Sequence, residues 1–228
     1  MKKIYFTALV LLLTFIDANA QQDPQYTQYM YNLNVINPAY AGFKENLSFG
    51  LLYRKQWVDI EDSPTTMTFS GSTPVGKNVG IGLNVISDKI GPSEATTVNA
   101  DFSYTLDLGG EHKLAFGLKA GATLLNVNMS NITNTLPDAD DPAFSENINK
   151  TNPTIGAGLY SPAEPYYISF AVPQKIQSTY LDINQGGEVS TYGEADIQYY
   201  LSGGYVFDLN PNLKFKPTVM LKSAFNVP

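Results

Sequence analysis

Val98-Asn99-Ala100-Asp101-Phe102-Ser103-Tyr104-Thr105-Leu106 alternates without a break between apolar and polar residues. A period of two marks a strand with two unlike faces, because successive side chains point to opposite sides. Alternation alone does not say which face is inside. A soluble sandwich turns its apolar face inward, and a membrane barrel turns it outward. The polar face decides between them. Working outward, the pattern recurs in Leu114–Leu124, where Leu114, Phe116, Leu118, Ala120, Ala122 and Leu124 oppose Ala115, Gly117, Lys119, Gly121 and Thr123. It recurs again over Leu47–Arg54, Thr66–Ser70, Val79–Ile86, Thr154–Leu159, Tyr166–Val172, Ile197–Asp208 and Leu213–Lys222, which makes nine strands in all. The second face is mostly Gly, Ser, Thr and Asn, with Arg54, Asp101, Lys119, Lys216 and Lys222 set among them. A solvated outer face would carry many more Lys and Glu, yet charged residues are only 15% of the chain. Small polar side chains suit a lumen, where opposite walls share limited space. The sequence therefore predicts an all-β, antiparallel, up-and-down transmembrane barrel over residues 46–228.

Connection lengths support the same topology. Short turns fall at Pro74–Asn78, Leu108–His112, Pro162–Glu164 and Leu209–Asn212, and longer links at Gln56–Pro64, Ser87–Glu94, Asn128–Pro153 and Pro173–Ala195. Strict alternation of short and long is what periplasmic turns and outer loops give. That parity starts the first strand on the periplasmic side. Residues 21–45 precede it as a Tyr- and Asn-rich segment with no sustained period, expected to form an irregular periplasmic arm or plug. Single-chain bacterial barrels have an even strand number. Nine strands therefore predict an incomplete, open sheet, with C-terminal strands missing and a gap between the Asn46–Tyr53 and Lys214–Ser223 strands.

The amino terminus indicates export. Lys2 and Lys3 precede an apolar run from Ile4 to Ile16, and Ala18-Asn19-Ala20 fits a signal-peptidase site, so residues 1–20 read as a signal peptide. The apolar run is shorter than the roughly 20 residues a spanning helix needs. The formal net charge is −7, which argues against nucleic acid and against electrostatic binding to an anionic leaflet. With no cysteine, neither disulfides nor thiol chemistry is available.

Several blocks resemble one family. Asp23-Pro24-Gln25-Tyr26-Thr27-Gln28-Tyr29-Met30-Tyr31-Asn32, followed by Ile36-Asn37-Pro38-Ala39-Tyr40-Ala41-Gly42, resembles the opening of PorP/SprF proteins. Tyr53-Arg54-Lys55-Gln56-Trp57, Val79-Gly80-Ile81-Gly82-Leu83, Ser87-Asp88-Lys89-Ile90-Gly91-Pro92 and Ser169-Phe170-Ala171-Val172-Pro173 follow in the family's order. The resemblance implies an outer-membrane component of the type IX secretion system, linked to gliding motility, that helps export or anchor a large secreted adhesin. It implies outer-membrane lipid, a secreted adhesin and other secretion components as partners, with no enzymatic activity, cofactor or small-molecule substrate. It also implies a longer chain than this one, which fits C-terminal truncation. A porin or small-solute channel is the alternative function.

Few constellations invite chemistry. His112, the single histidine, sits in a turn without a matching Ser and acid. Asp138, Asp140 and Asp141 form an acidic loop, a weak Ca²⁺ candidate because it lacks EF-hand spacing. Trp57 reads either as an interfacial aromatic anchor or as a contact for a secreted partner. Tyr26, Tyr29 and Tyr31 read either as fasteners of the arm within the lumen or as a periplasmic docking epitope. Gly80, Gly82, Gly117 and Gly121 alternate within strands with no helix following, so they are lumen-side spacers and not a nucleotide-binding loop.

Overall fold

The computed structural model describes residues 29–110, 112–128, 147–163, 165–174, 179–185, 188–194 and 197–225. The strands are β1 (Ser48–Lys55), β2 (Thr65–Val75), β3 (Val79–Ile90), β4 (Ser93–Gly109), β5 (His112–Val127), β6 (Ile148–Ala163), β7 (Tyr166–Val172), β8 (Thr179–Gln185), β9 (Glu188–Glu194), β10 (Ile197–Tyr205), β11 (Phe207–Asn210), β12 (Leu213–Phe215) and β13 (Thr218–Phe225). Nine of them form one antiparallel sheet in the order β1-β2-β3-β4-β5-β6-β7-β10-β13. The sheet curls into an open barrel. As expected from the odd strand count, β1 and β13 are its two edges, and no backbone pairing joins them among the described residues.

The faces are those of a membrane barrel. Phe49, Leu51, Tyr53, Leu83, Phe102, Phe116, Leu118, Ile168 and Leu221 all lie exposed on the convex side. The concave side buries Asn84, Asn99, Asp101, Ser103, Lys119, Thr154 and Ser169. On β4, Phe102 is 48% exposed and Asn99 is 4% exposed. So extensive an apolar exterior is unsuited to water and suits hydrocarbon. No helix among the described residues is long and apolar enough to cross a membrane.

Several expectations about the connections need correction. Ser87–Glu94 is not a long link. Pairing continues through Ser87↔Thr96, Asp88↔Ala95, Lys89↔Glu94 and Ile90↔Ser93, and the hairpin closes at Gly91-Pro92 with Gly91 at φ +56°. The strict alternation of short and long therefore fails there. Strands extend past the apolar belt with polar residues on both faces, which a hydrophobic period cannot mark. The Pro173–Ala195 link holds a separate β8–β9 hairpin. The last strand is Thr218–Phe225 and not Leu213–Lys222. Pro217 has no N–H to give to the ladder; Val206 donates to Pro165 O instead (2.7 Å), and β11 and β12 pair as a ribbon of their own.

Candidate functional site: an arm seated in the lumen and an exposed rim loop

The segment before β1 lies in the concave face. Tyr29–Tyr31 form a 3-10 turn, Leu33–Ile36 a short helix (α1) and Pro38–Tyr40 a second 3-10 turn. Residues 33–39 are all buried. Such short turns leave most of their backbone groups unpaired, and a buried unpaired group is costly. The polar wall supplies partners. Asn37 Nδ2 donates to Ser169 Oγ (2.7 Å) and to Leu159 O (2.8 Å), while Asn37 Oδ1 accepts from Ala39 N (2.9 Å). Ser103 Oγ donates to Ala41 O, and Asn32 is bonded to Thr68 and Ser70 of β2.

The wall's charges complete the seat. Asp101 and Lys119 face each other across β4 and β5, with Lys119 Nζ 3.5 Å from Asp101 Oδ1. Lys119, only 1% exposed, also donates to Val35 O (2.7 Å) near the end of α1. A cation at that point meets the helix's unsatisfied carbonyls. Asn84 donates to Asp101 and to Asn34 O, and accepts from Asn34 Nδ2 (3.2 Å). The ion pair thus bridges the wall to the arm. Tyr40 adds an apolar seal, edge-on to Tyr160 with ring centroids 5.2 Å apart, and burial pushes its hydroxyl above the ordinary phenol value.

Glycines make the close approach possible. A Cβ on Gly80 would strike Ala41 O, one on Gly117 would strike Ala39 N, and one on Gly158 would strike Asn37. Gly80 and Gly117 are therefore spacers for the arm's backbone, Gly82 and Gly158 clear its side chains, and Gly121 makes room for Val98 and Asn99 of β4 instead.

The partner-contact candidates disperse. Tyr29 packs against two buried apolar clusters, one around Leu33, Tyr160 and Tyr167 and one of Ile36, Ala171 and Tyr200, and donates to Thr218 Oγ1 (3.4 Å). Tyr31 is 80% exposed. Trp57 lies in the β1–β2 loop at φ +52°, exposed, and strand parity puts it at the opposite end of the sheet from Thr218. His112 is exposed at the start of β5. Tyr26, residues 1–20, expected to be a signal peptide, and the acidic Asp138, Asp140 and Asp141 lie outside the described residues. Among the described residues, no group of three His, Cys, Asp or Glu side chains is placed to hold a metal ion. Asn34, Asn37 and Asn84, which carry much of the arm's seat, were not singled out from sequence.

Residues 18–228 match the family model described as type IX secretion system membrane protein PorP/SprF. Comparison with curated proteins and with solved structures returns no match.

Proposed function

We propose, from the premise that this chain belongs to the PorP/SprF family of type IX secretion system membrane proteins, that it is an outer-membrane scaffold helping to export or anchor a large secreted adhesin. On this reading residues 1–20 direct export and are removed, residues 21–45 form the arm, and residues 46–228 form the barrel domain. The working surfaces are the rims and loops, with Tyr31 a candidate contact for another secretion component, and gliding or adhesion is the process served. The family is one of secretion-system membrane proteins and is not known as an enzyme family.

The observation that carries the reading is the bonded arm filling the concave face. A porin needs an open polar lumen; a scaffold does not. Conductance of the purified chain in planar bilayers, with and without residues 21–42, separates the two. The intact chain is expected to stay closed. Large steady currents from it would favour the porin. The secretion role has its own test: deleting the gene should release or trap a large surface protein, and unchanged surface retention would count against it.

A further inference from the structure

Every non-glycine residue with a left-handed backbone among the described residues falls in one loop: Trp57 (φ 52°), Asp59 (φ 74°) and Asp62 (φ 55°). The β1–β2 loop is also tied. Gln56 N donates to Pro64 O (2.9 Å), Ile60 N to Trp57 O (3.1 Å), and Gly91 N of the β3–β4 turn to Asp62 O (3.1 Å). Backbone of this kind persists only where its surroundings over-determine it, and it gathers at sites that use the shape it imposes. Here the shape displays apolar groups. Trp57 to Asp62 are all exposed, and Trp57, Val58 and Ile60 have 65%, 71% and 56% of their surface open.

These three side chains extend an interface already described. The exposed row of β1 is Phe49, Leu51 and Tyr53, backed on β2 by Met67 and Phe69, and that wall faces hydrocarbon. Trp57 follows two residues past the end of β1, beyond the exposed Lys55 that closes that row. Asp59, Glu61 and Asp62 lie among the apolar residues.

We propose that the loop is an interfacial foot: Trp57, Val58 and Ile60 rest in the headgroup layer of the leaflet nearest the β1–β2 end, on a phospholipid surface. The three carboxylates stay in water and set a limit on depth. Indole suits this position, with an apolar body and one N–H to satisfy. The bonds from Gln56, Ile60 and Gly91 satisfy backbone groups before the loop leaves bulk water, which reduces the cost of burial there. The inference does not depend on the secretion role.

The chain has one tryptophan, so its emission reports this loop alone. The full chain is reconstituted in phosphatidylcholine vesicles carrying bromine at shallow or deep acyl positions, and acrylamide is titrated separately. The expected result is blue-shifted emission, quenched more by shallow than by deep bromine and weakly by acrylamide. Water-like emission that acrylamide quenches and bromine does not would overturn the proposal, and would fit a loop held out for a protein partner. Stronger quenching by deep bromine would overturn the depth limit. A second readout is independent of the indole. Val58→Cys carrying a nitroxide, in a chain with no other cysteine, should collide more with oxygen than with a water-soluble nickel chelate. The reverse ranking would overturn the proposal.

Discussion

A single methyl group is the finest probe of how the arm sits. Gly117→Ala would drive a Cβ into the backbone at Ala39, and nothing there is a flexible chain end. Overpacking of that kind costs about 1–3 kcal/mol. Urea midpoints should fall accordingly, and the arm should become more sensitive to protease. Gly71→Ala, whose Cβ would meet ring atoms alone, Phe49 at 3.3 Å and Phe69 at 4.0 Å, should be far milder. Face assignment is tested on β4. Phe102→Arg puts a charge on the lipid side, at about 2–4 kcal/mol near the bilayer midplane. Asn99 is a poor lumen-side control, because it is sealed by Gly121 and accepts from Thr154. Thr97, half-buried and bonded to Thr123 (2.8 Å), is the better one. If Thr97→Arg lowers the unfolding midpoint more than Phe102→Arg, the faces are reversed. Alternation alone placed Gly80 and Gly117 on the lumen side. What they clear space for was not legible, because the arm has no period and contacts strands far away in the chain.

Among elements, β4 and β5 carry the charged part of the seat. Lys119→Met leaves Asp101 buried without its cation and Val35 O without its donor. Loss of one partner of a buried pair costs about 3–5 kcal/mol. Replacing both members, Asp101→Leu with Lys119→Met, should recover much of that in chemical unfolding while still leaving the arm loosened to protease. Equal losses in the single and double variants would show that the pair is not coupled. This contact was within reach of the sequence: Asp101 and Lys119 stand equidistant from Gly110 in a predicted tight hairpin, and both were assigned to the lumen face. Other features were hidden for definite reasons. Polar pairs such as Ser87↔Thr96 and Lys89↔Glu94 extend a ladder outside the apolar belt, where pattern carries no signal. The β8–β9 hairpin had a signal, Gly186-Gly187 between two short alternating runs, of the kind that favours two-residue turns. Pro217 likewise marked the break ahead of β13.

The whole molecule is an open sheet with the arm lying across its hollow. Absence of native cysteine makes the opening measurable. A Ser48→Cys, Ser72→Cys pair, on neighbouring strands with hydroxyls 3.1 Å apart, should oxidise readily. A Ser48→Cys, Thr218→Cys pair, on the inner face at the same end of the two edge strands, should not, and efficient bridging there would mean the edges meet. The arm's bonds have a further consequence in time. They close very long stretches of chain: Tyr29 to Thr218 spans 189 positions, Asn37 to Ser169 spans 132, and Lys119 to Val35 spans 84. Contacts so distant in sequence form slowly, because the intervening chain must be ordered first. On refolding from urea into detergent, strand circular dichroism should plateau before the arm gains protease resistance. Simultaneous gain would contradict this order. The segment that precedes β1 is thus among the last to find its place. Until Ser169 and Thr218 are set in the wall, residues 29–42 have only their bonds to the earlier strands to hold them. A protein that is to hold the arm meets the least competition in that interval, before the barrel claims it.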